Sequence, residues 1–78
     1  MKKMYVSISN FEDVGRFVNI VDRMKGNVDL VCGRYIIDAR SVVGVATLVG
    51  GRVLELCMHE RQEKEIERQL EQFMCCAA

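Results

Sequence analysis

The sequence has a single histidine, no net charge and no long apolar segment, and each of these absences argues against a class of function. Lysine and arginine together number 11, as do aspartate and glutamate, so no net field would concentrate nucleic acid around the chain. No uninterrupted apolar run approaches the ~18 residues that indicate a membrane-spanning helix. The opening MKKMYVSIS is too short and too polar for a secretory signal. We therefore expect a cytoplasmic protein that binds neither nucleic acid nor membrane.

The length predicts one domain, and the cysteine positions favour reduced thiols. Seventy-eight residues lie near the lower limit for a fold stabilised by a hydrophobic core alone, so we interpret 1–78 as a single domain and not as a deep, multilayered enzyme. Cys75 and Cys76 are adjacent in the sequence, while Cys32 and Cys57 fall within predicted strands. These positions do not suit disulfides that close loops, and a cytoplasmic protein keeps its thiols reduced.

Two hydrophobic periods follow one another in the first third of the chain. Met4, Val6 and Ile8 alternate with polar residues, which predicts a strand over 3–8. From Phe11 onward the apolar side chains recur every three or four residues as far as Met24, which predicts a helix over 11–24. A glycine at position 26 then suits the end of that helix.

The remainder of the chain predicts three more strands and two more helices. Gly33 and Arg34 suit the turn of a hairpin, and Ser41 suits the cap of a short helix that forms despite its glycine and valines. In chain order the predicted elements are strands over 28–32 and 35–39, a helix over 42–49, a strand over 52–59 and a helix over 61–74.

The resulting order, β-α-β-β-α-β-α, predicts the fold class. Each strand has one apolar face, and no connection contains more than one helix, so the economical arrangement is a single sheet with every helix on the same side. We therefore expect an α+β open-faced β-sandwich, in which a four-stranded, mainly antiparallel sheet is covered on one face by three helices.

The start of the first predicted helix can satisfy its own hydrogen-bonding groups. A helix N-terminus attracts anions through its free N–H groups and partial positive charge. Either Ser9 with Glu12 or Asn10 with Asp13 has the spacing of a capping box, in which side chains of the helix itself fill those groups. The only histidine, His59, ends a distant predicted strand. We expect no catalytic residue here and no enzyme activity.

A family resemblance rests on the segment ARSVVGVATLVGGRVLEL, residues 39–56. It resembles the regulatory-serine helix and following strand of HPr, the histidine-containing phosphocarrier of the bacterial sugar phosphotransferase system. The stretch Arg16-Phe17-Val18 in the first predicted helix supports the same resemblance, which extends over nearly the whole chain. The resemblance implies the open-faced sandwich, no cofactor, and a cytoplasmic role in sugar transport or carbon catabolite regulation.

The chain departs from that family at its phosphorylation site. In HPr proteins the phosphorylated histidine caps helix one within a Gly-Leu-His-x-Arg-Pro-type motif, and this motif is missing here. Counting back from Phe17, Asn10 falls at the histidine position and Glu12 at the position of an arginine that helps hold the phosphoryl group. An amide cannot accept a phosphoryl group as imidazole does, and a carboxylate repels phosphate. The resemblance therefore implies a relative without phosphoryl transfer.

Ser41 matches the family serine that an ATP-dependent kinase phosphorylates in many Gram-positive bacteria. A phosphate at Ser41 would meet the N–H groups of the predicted helix and the neighbouring Arg40; alternatively, Ser41 is only an N-cap. Val42 and Val43 point roughly 100° apart on a helix, so one of them should be exposed. In HPr-like proteins the surface of these two helices docks partners, and the candidate partner-binding residues here are Asn10, Phe11, Arg16, Arg40, Val42 and Val43.

Three functions remain open. The first is a non-catalytic regulatory or adaptor relative of HPr that contacts a phosphotransferase-system enzyme, the HPr serine kinase or a transcriptional regulator. The second is a functional phosphocarrier that uses another residue. The third is a thiol or metal-binding module, because Met74-Cys75-Cys76 is rich in soft ligands.

The cysteine pattern argues against the third function. No cysteine precedes the first helix, and the alternation within the strands predicts that Cys32 and Cys57 lie on opposite faces of the sheet. We predict no metal site and interpret Cys75 and Cys76 as a reactive tail.

Overall fold

In the computed structural model, which describes residues 2–75, four strands form one antiparallel sheet in the order β1-β4-β2-β3, and the helices cover one face of it. The predicted fold class and element order are confirmed. The elements are β1 (Lys2–Val6), α1 (Phe11–Val21), β2 (Val28–Cys32), β3 (Tyr35–Asp38), α2 (Val42–Ala46), β4 (Leu54–Met58), α3 (Lys64–Leu70) and a 3-10 turn over Glu71–Phe73. No helix among the described residues is long and apolar enough to cross a bilayer.

The core lies between the sheet and the helices, on the strand faces that the alternation predicted. Met4 and Val6 of β1 are buried, as are Leu54, Leu56 and Met58 of β4. Phe17 of α1 is fully buried and meets Phe73 edge to face, with ring centroids 5.5 Å apart. Burying such large apolar side chains is the main favourable contribution to folding in a domain of this size.

The first helix ends three residues earlier than predicted. Met24 is buried as the periodicity required, but Arg23 and Met24 donate to carbonyls three residues back, in turns beyond the α-helix. The chain then reverses at Gly26, whose φ of 70° is costly for other residues. A side chain there would also collide with the carboxylate of Glu60.

The second helix and the strands beside it are also shorter than predicted. α2 ends at Ala46, and at one end of the sheet β1 stops two residues earlier and β4 begins two residues later than predicted. Gly50 and Gly51 adopt φ values of 128° and 78° and donate their N–H groups to the carbonyl of Ile8, at 3.0 and 3.2 Å. These bonds tie the connection after α2 to the loop that leads into α1.

Two polar side chains fasten the opposite end of α1. Gln62 is the one buried polar residue among residues 2–75, and its side chain accepts from the N–H of Lys25 (2.7 Å) and donates to the carbonyls of Lys25 (2.6 Å) and Glu60 (3.0 Å). The Arg40 guanidinium donates to the carbonyls of Met24 (2.6 Å) and Gly26 (2.8 Å). Together they satisfy backbone groups that the end of a helix leaves free.

The chain around Cys75 is held against β1. Cys75 donates its N–H to the carbonyl of Tyr5 at 3.0 Å, and Ser7 donates to the carbonyl of Phe73 at 2.8 Å. Cys75 is half-buried. Cys75 is therefore not part of a free tail, its reactivity stays a prediction, and Cys76 lies outside the described residues.

Candidate functional site

Asn10 is the N-cap of α1. Its backbone is extended, and its side-chain oxygen accepts the N–H of Asp13 at 3.0 Å. This settles the two capping alternatives in favour of Asn10 with Asp13. The remaining polar group of the side chain is an amide NH₂, which donates hydrogen bonds and has no basic lone pair. Asn10 can therefore hold the helix start but offers no nucleophile.

The charges around Asn10 are mainly negative. Glu12 is exposed in the first turn of α1 and Asp13 is half-buried beside it. The guanidinium of Arg16 lies 4.0 Å from the Asp13 carboxylate, and its side chain is largely exposed. Helix N-termini stabilise carboxylates of their own first turn, so the positive end of α1 is already compensated.

The sequence predicted that Phe11 lies on the buried apolar face of α1 and that it binds a partner. The prediction of burial is wrong. Its side chain is 73% exposed, and the buried face of α1 begins at Val14. Phe11 is the first residue of the helix, ahead of the turn that packs on the sheet. Val42 and Val43 of α2 are also exposed, at 55% and 77%, so both valines, and not one of them, face outward.

α1 and α2 run in opposite directions, so their first residues lie toward opposite ends of α1. The residue before Ser41, Arg40, bonds to the chain just after α1, whereas the glycines after α2 bond to Ile8, just before α1. α1 has 11 residues and so rises about 16 Å. The structure therefore places Asn10 and Phe11 apart from Ser41, Arg40 and the two valines.

Ser41 is the N-cap of α2, as the sequence predicted. Its hydroxyl accepts the N–H of Gly44 at 3.1 Å, and the residue is exposed. Arg40, however, already binds two carbonyl groups beyond α1. A phosphate on Ser41 would have to compete with those carbonyls for the guanidinium.

His59 lies at the other end of the sheet from Asn10. Its backbone N–H donates to the carbonyl of Asn27, beyond the C-terminal end of α1, at 3.1 Å. Its Nε2 is 3.0 Å from the Asp29 carboxylate. It is partly exposed, as predicted, but it follows β4 instead of ending it. It is too distant to serve the start of α1.

The two strand cysteines do not converge. Cys32 packs against the core on the helix side, whereas Cys57 lies on the open face, where its thiol donates to the Glu55 carboxylate at 3.4 Å. Burial, and then the Glu55 carboxylate, raise the pKa of the Cys57 thiol, which disfavours the reactive thiolate. Within residues 2–75 no three histidine, cysteine or acidic side chains lie close enough to hold a metal.

Sequence reasoning missed the exposure of β3. Tyr35 and Ile36 are 71% and 69% exposed, although their apolar run reads as an ordinary strand. The cause is the strand order, which places β3 at the edge of the sheet. No local signal in the sequence reports that position.

Gly15 lies on the exposed side of α1, one helical turn after Phe11, and nothing lies within 4 Å of the position that a Cβ would occupy. We expect Gly15→Ala to raise the free energy of unfolding by about 0.5–1 kcal/mol, because alanine loses less conformational entropy in a helix. Urea denaturation measures this change. An unchanged or lower stability would show that the surroundings of Gly15 are not open.

Comparison with known proteins identifies the fold. No protein-family model and no curated protein sequence matches the chain. Among solved structures it is similar to one described as the crystal structure of HPr-C-His from Thermoanaerobacter tengcongensis, with a TM-score of 0.73 and 20% sequence identity over 92% of this chain and 89% of that one. The protein therefore has an HPr-like fold.

Proposed function

We propose that this chain is a non-catalytic relative of HPr, a regulatory or adaptor protein that acts by contact with other proteins and not by carrying a phosphoryl group. The observation that carries the proposal is the environment of Asn10. Its side chain caps α1 through the N–H of Asp13 and lies next to the exposed Glu12. By the resemblance, Asn10 and Glu12 stand where the family has its phosphorylated histidine and supporting arginine, so an amide and a carboxylate would replace an imidazole and a guanidinium.

The chemistry of this replacement opposes phosphoryl transfer at two steps. Accepting a phosphoryl group requires a lone pair on the attacking nitrogen, and an amide nitrogen has none to offer. An incoming phosphate would also meet the carboxylate of Glu12 at short range, which raises its energy. The imidazole of His59 does not substitute, because it lies beyond the opposite end of α1.

Contact with a protein partner is supported by the exposed apolar side chains of the two helices. Phe11 on α1, and Val42 and Val43 on α2, are more than half exposed, and Arg16 adds a positive group that is only loosely engaged by Asp13. Aromatic residues and arginine are typical anchors at protein interfaces. Suitable partners are cytoplasmic proteins of the same regulatory system: a phosphotransferase enzyme, the serine kinase or a transcriptional regulator.

Phosphorylation of Ser41 would provide a switch for that contact. The Ser41 hydroxyl is exposed and lies at the start of α2. A phosphate there would add about two negative charges beside the exposed valines, and a partner with a basic surface would then bind more tightly.

Incubation with the HPr serine kinase and ATP tests this switch. We expect the parent chain to gain one phosphate by intact mass, and Ser41→Ala to gain none. Ser9→Ala is the matched control, because Ser9 is also exposed and its loss should leave phosphorylation intact. Losing the cap in Ser41→Ala costs about 1 kcal/mol, so circular dichroism should confirm folding. Equal phosphate on Ser41→Ala and the parent would exclude Ser41 as the acceptor.

A further inference from the structure

The outer edge of β3 is the unpaired edge of the sheet. At the other edge, β1 pairs with the chain at Met74 and Cys75. Within residues 2–75 no segment pairs with the outer side of β3, where Tyr35 and Ile36 are largely exposed. An edge strand of this kind presents free N–H and C=O groups to another strand.

The register of the hairpin determines which backbone groups point outward. β2 and β3 are joined by the two-residue turn Gly33-Arg34, in which Gly33 has a φ of 60°, so Tyr35 exchanges hydrogen bonds with Cys32. The same alternation appears at Ala39, whose N–H donates to the carbonyl of Val28 at 2.9 Å. Ile36 and Asp38 therefore direct their N–H groups away from β2 and into solvent.

The side chains that accompany these outward groups are complementary in charge. Ile36 and Asp38 lie on the open face of the sheet, across from Val31 and Asp29. Arg34 is the second residue of the turn before β3, and its carbonyl points away from β2 because it belongs to the same peptide unit as the Tyr35 N–H. Proteins protect exposed edge strands with proline, bulges or charged side chains, most often lysine. This sequence has no proline. Arg34 lies two residues before the exposed Ile36, and Asp38 lies two residues after it.

We propose that β3 pairs with β3 of a second copy of this chain, antiparallel and with the twofold axis at Ile36. Ile36 N–H donates to the Ile36 carbonyl of the second copy, and Asp38 N–H donates to the Arg34 carbonyl of the second copy, each in both directions. The guanidinium of Arg34 in each copy faces the carboxylate of Asp38 in the other. The two four-stranded sheets become one continuous sheet with all helices on the same side.

The alternation and the charges select this register over its neighbours. A shift by one residue would place outward groups opposite groups that point to β2, and the hydrogen bonds would be lost. A shift by two residues in one direction would oppose Arg34 to Arg40 and Ile36 to Asp38. Like charges directly opposite one another destabilise a strand pair. The register centred on Ile36 satisfies both the backbone groups and the charges.

The helix side of the junction also benefits from this pairing. Tyr35 of each copy lies opposite Ile37 of the other, and Tyr35 is 71% exposed in the single chain. A cross-strand pair between an aromatic and a β-branched residue is favourable. The dimer does not depend on the proposed function, because neither Asn10 nor Ser41 takes part in the strand pairing.

Sedimentation velocity across a concentration series tests the proposal with a charge-swap design. We expect the parent chain to form a dimer in a concentration-dependent manner. Arg34→Asp and Asp38→Arg should each weaken the association by about tenfold or more, since each places like charges across the junction twice. An equimolar mixture of the two variants should dimerise again, because each then opposes the other with the complementary charge.

A second mixture controls for general attraction between variants whose net charges were changed in opposite directions. Arg61→Asp, just before α3, and Glu65→Arg, within α3, make the same charge changes at exposed positions away from β3. Each alone should dimerise like the parent, and mixing should add nothing. Asp38 also accepts the N–H of Arg40 at 2.9 Å, so folding of its variant is checked by circular dichroism.

Hydrogen exchange gives a second, mutation-free measurement. The amides of Ile36 and Asp38 should become protected as the protein concentration rises, while those of Tyr35 and Ile37 should not depend on concentration. A chain that stays monomeric throughout, or variants that fail to recover in the mixture, would overturn the proposal.

Discussion

Replacing Gln62 with leucine is expected to lower the free energy of unfolding by about 2–4 kcal/mol. Leucine has a similar size, but it would leave the N–H and the carbonyl of Lys25 without the partners that Gln62 supplies at 2.7 and 2.6 Å. Gln62 is 7% exposed, so water replaces these bonds poorly. A domain of this length has a total stability of about 4–12 kcal/mol, and the change is therefore a large fraction of it.

Urea denaturation of Gln62→Leu and Gln72→Leu measures this effect against a matched control. Gln72 is exposed and donates to the carbonyl of Gln69 alone, and a surface change of this kind should stay within about 0.5 kcal/mol. Equal losses in the two variants would show that the Gln62 bonds contribute nothing beyond those of a surface glutamine.

Restoring the missing groups at the start of α1 is expected to create a phosphoryl acceptor. We expect Asn10→His combined with Glu12→Arg to take up phosphate from phosphoenolpyruvate and the first enzyme of the sugar phosphotransferase system. The imidazole supplies the nucleophile and the guanidinium replaces a repelling carboxylate by an attracting cation. The phosphate should be acid- and heat-labile, as on a phosphohistidine.

Two related variants separate these contributions. Asn10→His alone should be phosphorylated more slowly, because Glu12 still repels the phosphoryl group, and Asn10→Ala with Glu12→Arg should not be phosphorylated. Intact mass and acid lability are the readouts. Equal phosphate on the alanine and histidine double variants would show that position 10 is not where the phosphoryl group binds.

The strand faces could be predicted from the sequence because alternation depends only on the geometry of a strand. Leu54, Leu56 and Met58 needed no knowledge of their neighbours to be placed in the core. The end of α1 could not be predicted in this way, because Gln62 and Arg40, which are distant in the sequence, stabilise the turn after Val21. Phe11 was misassigned for a related reason: it has the correct period but precedes the first turn that packs on the sheet.

At the candidate site the caps could be predicted and their surroundings could not. The bonds of Asn10 to Asp13 and of Ser41 to Gly44 span three residues, so spacing alone predicts them. The hydrogen bonds from Arg40 to the carbonyls of Met24 and Gly26 depend on how β3 and α1 are packed. The exposed edge of β3 likewise follows from strand order, which periodicity does not report.

Intact mass of the parent chain after incubation with phosphoenolpyruvate and the first enzyme of the phosphotransferase system tests the central claim most directly. An authentic HPr in the same tube shows that the enzyme is active. The amide at position 10 and the carboxylate beside it predict that HPr gains a phosphate while this chain gains none. An acid-labile phosphate on the parent chain would contradict the account.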